Sequence, residues 1–227
     1  MGTPGPDGLW SRVDEYFESV CLPPDPTLQE TLRRSEESEL PAWAVTPLQG
    51  RFLYLLARSI GARRMLEIGT LGGYSAIWLA RALPPDGRLV TLEVNPKHAK
   101  IARGNLEAAG VSDRVEIRLG RAEDSLRVLS TETGPPFDLA FIDADKPSSA
   151  SYFDWAVRLS RPGALVLVDN VVRGGRVADP MDTDPNVSGT RVLLDAVRDD
   201  RRVTATVLPS VGRKGYDGML LARVEST

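Results

Sequence analysis

The chain has 227 residues, a hydrophobic fraction of 42% and a formal net charge of −3, enough for one α/β domain with a sizeable core. That charge balance excludes the basic surface a nucleic-acid or anionic-membrane partner would need. The single cysteine, Cys21, excludes an internal disulfide; no apolar run approaches the ~20 residues of a membrane span and the start lacks a signal-peptide core, so a cytoplasmic protein is expected.

Taken in order, Gly2-Thr3-Pro4-Gly5-Pro6 reads as a frayed terminus. Leu9, Val13, Phe17 and Val20 recur near helical spacing, which predicts a helix over 9–20 that Pro23-Pro24 ends. A second helix, Leu28 to Glu39, is largely charged and is expected to be solvated or to pack on a partner. Pro41 and Pro47 punctuate the approach to a third, Leu48 to Ile60. Residues 1–45 thus read as an N-terminal helical extension to a single globular domain, 46–227.

The chain is organised around Arg64-Met65-Leu66-Glu67-Ile68-Gly69-Thr70-Leu71-Gly72-Gly73-Tyr74-Ser75. A short apolar run reads as a buried parallel strand, and the glycines let the backbone turn into a helix from Tyr74 to Leu83. Such a turn seats a nucleotide beside the free N–H groups of a helix N-terminus. A dinucleotide fingerprint wants glycines where Leu71 and Tyr74 stand, which weakens a pyrophosphate reading. Glu67 would repel phosphates but suits a ligand with a cationic amino acid end.

Strand and helix then alternate, the pattern of a parallel sheet with helices on both faces. Strands are expected at 88–93, 115–119, 138–143 and 164–169, with helices at 96–109, 123–129 and 149–159 between them. A Gly, Asp and Pro-rich loop covers 173–185 and a helix follows from Ser188 to Val197. The last strands, 203–208 and 219–224, lie too close in sequence for a parallel crossover and are expected to pair as an antiparallel hairpin, giving a seven-stranded sheet.

In such a sheet ligands bind beyond the carboxyl ends of the strands. Those ends carry Glu67, Glu93, Asp143 and Asp169-Asn170. Glu93 stands where a carboxylate accepts both hydroxyls of an adenosine ribose, against the plainer reading of a carboxylate capping the helix at Pro96. Ala122-Glu123 would lie near an adenine. Asp143, Asp169 and Asn170 offer only oxygen, which suits a hard divalent cation such as Mg²⁺; taken singly, an N-cap and an Asx turn would explain them. Pro147 restrains Lys146 toward an extended conformation, which directs it back over the strand ends.

These motifs resemble the small cation-dependent O-methyltransferases, the catechol and caffeoyl-CoA type with their bacterial relatives. The likeness runs from about Thr46 to the C-terminus and is carried by Leu66-Glu67-Ile68-Gly69 with Gly73-Tyr74-Ser75, by Phe141-Ile142-Asp143-Ala144-Asp145-Lys146, and by Asp169-Asn170-Val171. It implies a Rossmann-like class I methyltransferase fold and S-adenosylmethionine as donor. Glu67 would sit near the donor's amino acid end, Gly69 and Ser75 along the turn, Glu93 on the ribose, Ala122 near adenine, and Val45 and Asp143 against the donor. Asp143, Asp169 and Asn170 would bind the metal, Mg²⁺ by expectation, and Lys146 would act as general base.

The resemblance implies a homodimer formed through the N-terminal helices, and methyl transfer to one hydroxyl of a catechol-type small molecule. The segment Ser210 to Tyr216 is longer than the loop of typical relatives, which leaves the acceptor open. A nicotinamide oxidoreductase would share the sheet and Glu93 but lacks glycines at 71 and 74. A non-catalytic S-adenosylmethionine-binding module would have no need of the oxygen-donor trio.

Overall fold

The computed structural model describes residues 8–225; Gly2 to Pro6 lie outside them. The helices are α1 (Leu9–Cys21), α2 (Pro26–Glu37), α3 (Pro47–Ser59), α4 (Tyr74–Ala82), α5 (Pro96–Ala108), α6 (Ala122–Leu129), α7 (Ser149–Leu159) and α8 (Pro185–Asp199). The strands are β1 (Arg64–Ile68), β2 (Arg88–Glu93), β3 (Val115–Leu119), β4 (Phe137–Ile142), β5 (Ser160–Asp169), β6 (Val203–Gly212) and β7 (Gly215–Val224). They form a seven-stranded sheet in the order β3-β2-β1-β4-β5-β7-β6. The first three strands pair in parallel, and β7 pairs antiparallel with β5 and β6, so the expected C-terminal hairpin is present.

The chain divides into two compact units, Cys21–Leu139 and the described residues on either side of it, 8–20 and 140–225. In Cys21–Leu139 the core is made by Met65, Leu66 and Ile68 of β1, Ile77 and Leu79 of α4, and Leu89 and Leu92 of β2, all buried. Proline at the first helical turn and a capping side chain start three of its helices: Asp25 accepts from Leu28 N, Thr46 forms a capping box with Gln49, and Asn95 accepts from Lys97 N. The charge-rich α2 buries only Leu28 and Thr31 and presents a Glu30, Arg33, Glu37 ladder to solvent.

In the other unit Phe141, Ile142, Phe153, Val166, Leu167 and Val168 are buried. Here α1 buries only Asp14. Leu9, Val13, Phe17 and Val20 are 46, 42, 46 and 64% exposed, so among the described residues the apolar stripe is only partly covered.

Several stretches differ from the sequence expectation: β5 begins at Ser160 and not at Ala164, and Lys146, expected to be extended ahead of Pro147, opens a 3-10 turn over Lys146–Ser148. Residues 210–216, expected as a loop, continue β6 and β7 as far as Gly212 paired with Gly215, leaving Arg213-Lys214 as a two-residue turn. Most of β6 is exposed or half-buried, so no apolar face imprints the alternation that reveals a strand. Within the expected loop 173–185, Arg173–Ala178 forms a 3-10 segment, kinked where Gly174 and Gly175 take φ of 69 and 86°.

Candidate active site

Val45, Glu67, Gly69, Ser75, Glu93 and Ala122 all belong to Cys21–Leu139. Glu67 is fully buried, and its Oε2 accepts from Thr91 Oγ1 at 2.6 Å, with Thr70 Oγ1 a further 2.6 Å from that hydroxyl. A buried carboxylate is stable only with such partners. The turn after β1 is held open by backbone geometry: Gly69 has φ 103°, Leu71 φ 49° and Gly73 φ 82°. Gly73 begins α4 with no side-chain cap, so the first turn presents main-chain donors and the positive end of the helix dipole.

Glu93 is 7% exposed and does more than either sequence reading assigned to it. Its Oε2 accepts from Leu71 N and its Oε1 from Asn95 N, both at 2.8 Å, while His98 Nδ1 stands 3.5 Å from Oε1. One carboxylate thus joins the glycine turn to the start of α5, and Asn95 serves as the cap of that helix. Asn105 donates from Nδ2 to Gly72 O at 2.9 Å, a second strut that sequence reading missed. Ser75 is the second residue of α4 and Ala122 the first of α6; Val45 is buried just ahead of the Thr46 cap.

Asp143, Lys146, Asp169 and Asn170 belong to the other unit. Asp143 follows the last residue of β4, and Asp169 closes β5. Lys146 is only 7% exposed; its Nζ donates to Asp143 Oδ1 at 3.0 Å and to the Asp169 carbonyl at 3.1 Å. Burial and the neighbouring Asp143 carboxylate push Asp169 up to about 7, opposed by Lys146 and by the Asn170 N–H that its Oδ1 accepts at 2.8 Å. Asn170 has φ 58°, a left-handed conformation that asparagine tolerates better than most residues.

Local packing fixes Lys146. Asp145 accepts from Ser148 N at 3.2 Å and from the Tyr152 hydroxyl at 2.7 Å, so the turn that carries the lysine is tied to α7. Gly189 of α8 lies directly on the backbone of Lys146 and Pro147. Asp217 of β7 accepts from Val172, Arg173 and Gly218 N–H groups, each at 3.0 Å, and so binds the stretch after Asn170 to the hairpin. Burial lowers the Lys214 ammonium from the usual lysine value, opposed by the charges of Asp169 and Asp143. None of Gly189, Tyr152, Asp217 and Lys214 carries a sequence motif.

Asp143, Asp169 and Asn170 present two carboxylates and an amide. Among the described residues no three His, Cys, Asp or Glu side chains gather as a metal cluster. The all-oxygen character of this trio, with Asp169 buried and raised by a like charge, is the chemistry a hard divalent cation offsets. Among the described residues no helix is long and apolar enough to cross a membrane.

The O-methyltransferase family profile matches residues 19–225. A catechol O-methyltransferase of Mycobacterium tuberculosis is 50% identical over 212 residues, 93% of this chain and 94% of that protein. The O-methyltransferase of Bacillus cereus, solved in complex with SAH, is 52% identical with a TM-score of 0.94, covering 96% of this chain and 99% of that one. TomG of Streptomyces achromogenes, solved with SAM and involved in tomaymycin synthesis, is 49% identical with a TM-score of 0.94, covering 97% and 99%. With the seven-stranded sheet and the glycine turn in place, this chain belongs to the O-methyltransferase family.

Proposed function

We propose that this O-methyltransferase moves the methyl group of S-adenosylmethionine to one hydroxyl of a vicinal aromatic diol with a divalent cation, Mg²⁺, as cofactor. The observation that carries the reading is the position of Lys146, buried and hydrogen-bonded to Asp143 Oδ1 and to the Asp169 carbonyl beside an all-oxygen donor set. Relatives solved with SAH and SAM, and one named catechol O-methyltransferase, support the donor and the acceptor class.

The donor's sulfonium is already electrophilic, so the protein must chiefly present an oxyanion in line with the methyl at about 3 Å. Glu67, Gly69, Ser75, Glu93, Ala122 and Val45 would bind the donor, Glu67 toward its amino acid end and Glu93 at the ribose hydroxyls. Asp143, Asp169 and Asn170 would hold the cation. When bound, it lowers the pKa of a phenol from about 10 and fixes the oxygen.

Lys146 would take the phenol proton. A neutral amine has two N–H bonds, and the two acceptors beside Nζ use them, which leaves its lone pair for the substrate hydroxyl. The O–CH₃ bond then forms as the S–CH₃ bond breaks, the donor leaves as a neutral thioether, and the proton on Nζ passes to solvent.

Turnover of catechol with labelled donor tests the reading. Exhaustive EDTA should abolish it, Mg²⁺ or Mn²⁺ should restore it, and Lys146→Ala should lower it by ~10²–10⁴-fold. Full activity after chelation would remove the metal, and a near-normal Lys146→Ala rate would remove the base. We infer in addition a homodimer through the exposed Leu9, Val13, Phe17 and Val20 stripe of α1, an apolar surface of the kind that marks association.

A further inference from the structure

We infer that Ser35 of α2 is a positioning residue for the donor: pressed on Gly72, it holds the glycine turn in the shape that receives S-adenosylmethionine. This rests on the donor reading above and assigns a task to the charge-rich helix.

Glycine stands at 72 for a different reason than at 69 and 73. Gly69 and Gly73 are required by φ of 103 and 82°, whereas Gly72 takes no such positive φ and its backbone would accept a side chain. Space forbids one. A Cβ at Gly72 would overlap Ser35 Oγ and lie 3.3 Å from Ser35 Cβ and 3.5 Å from Leu40 Cδ2. Turning the hydroxyl aside would break its bond to Thr31 O, to which it donates at 2.7 Å.

The turn cannot retreat from α2 either. The Gly72 carbonyl accepts from Asn105 Nδ2 at 2.9 Å, and Asn105 is buried in α5. Ahead of Gly72, Leu71 N is held by Glu93 Oε2 at 2.8 Å; after it, a Cβ at Gly73 would meet Ala102 Cβ of α5 at 3.3 Å. At one residue, then, the donor turn is gripped between α2 and α5.

Helix α2 is itself fixed at two points. Its cap, Asp25, pairs with Arg81 in the last turn of α4, and Ser35 reaches Gly72 immediately ahead of Gly73, the cap of α4. From Asp25 to Ser35 the chain rises ~15 Å and from Gly72 to Arg81 ~14 Å, so the two helices run antiparallel with matched ends. Leu28 and Thr31, the buried residues of α2, share the face that carries Ser35. A displacement of α2 is therefore passed to the turn, and a turn already in its binding shape spends less of the ligand's binding energy on ordering.

The test exchanges a methyl-sized group across the contact and reads SAH binding by calorimetry. Gly72→Ala should raise the SAH Kd by ~10-fold, and Ser35→Gly, which leaves a hole beside Gly72, by ~3–10-fold. Gly72→Ala combined with Ser35→Gly restores the filled volume and should bring Kd back to within about threefold of the unaltered protein, because volume-conserving exchanges are tolerated best. In turnover, Ser35→Gly should raise the donor KM with kcat at saturating donor retained, a split that general destabilisation does not produce. Should Gly72→Ala fail to fold, Ser35→Gly still decides, with faster amide exchange over 70–73 accompanying its weaker binding. Unchanged SAH affinity in the single variants, or a double variant that binds no better than Gly72→Ala, overturns the inference. No SAH binding by the unaltered protein would instead overturn the donor reading itself.

Discussion

Gly189 and Lys146 meet through backbone alone: a Cβ on Gly189 would stand 2.5 Å from the Lys146 carbonyl oxygen and 2.7 Å from the Pro147 Cα. Neither of those atoms can swing away as a side chain would, so an added methyl must shift α8 or the turn that carries the lysine.

Gly189→Ala should therefore lower kcat, by ~10²-fold if Nζ moves by about 1 Å, while S-adenosylmethionine affinity stays unchanged. Gly104→Ala on α5 is the control, since a Cβ there meets nothing within 4 Å. Tyr152→Phe, which removes the hydroxyl bonded to Asp145 at 2.7 Å, should act in the same direction more weakly. Normal kcat in a folded Gly189→Ala enzyme would show that the contact does not position the lysine.

Removal of the Glu93 carboxylate should be felt twice. Glu93→Ala should weaken donor binding by ~1.5–3 kcal/mol, the range for hydrogen bonds to a charged group. It also strips the acceptor from Leu71 N and Asn95 N, so amide exchange across 70–73 should speed up in the ligand-free protein. Unaltered affinity by calorimetry with slow exchange retained would take Glu93 out of both roles.

Asp200 offers a pH test away from the site. Its hydrogen bond to Arg202, which also reaches Asp154 at 2.8 Å, holds its carboxyl below the unfolded value of 3.8. A carboxylate lowered in the folded state stabilises at pH above the unfolded value, and that contribution is lost as pH falls through the lowered one. Asp200→Asn should cost ~1 kcal/mol near neutrality and almost nothing in strong acid, read from melting curves at about pH 7 and about pH 2. An equal penalty at both ends would assign the effect to packing.

The partly exposed α1 stripe predicts association. Light scattering should give twice the mass of one chain, and Phe17→Glu with Val13→Glu should return it to that of one. A monomer in the unaltered protein would mean that the stripe stays solvated.

The sequence was most legible where one face of an element is buried. Strand β2 was bounded to the residue because Leu89 and Leu92 sit in a run of buried positions, and β3, which has no fully buried residue, was still bounded by the alternation of Val115, Ile117 and Leu119. The outer hairpin gave no such pattern beyond Leu208, so Ser210 to Tyr216 read as a loop. Asp143, Lys146 and Asp169 could be named because motif and strand end coincide, and their hydrogen bonds bring them together. Gly189 and Asp217 escaped notice because each acts through a partner more than 40 residues away, and such pairings leave no local spacing to read. Asn95 and Asn105 have the same excuse in part: the first is an ordinary cap, while the second reaches back 33 residues to Gly72.

One unit is an uninterrupted stretch, Cys21–Leu139, and the other is assembled from the flanking residues at both ends. Asp14 and Arg213, whose contact fixes the hairpin tip, are 199 residues apart. At a ribosomal rate of ~5–20 residues per second, Asp14 is made roughly 10–40 s before Arg213 exists. During that interval the uninterrupted stretch can complete its own parallel strand pairs, since every residue they need is made before Arg213. The first helix meanwhile waits on the nascent chain with its acidic ligands for Arg213 unanswered and its apolar stripe in water, a window in which premature self-association competes with folding.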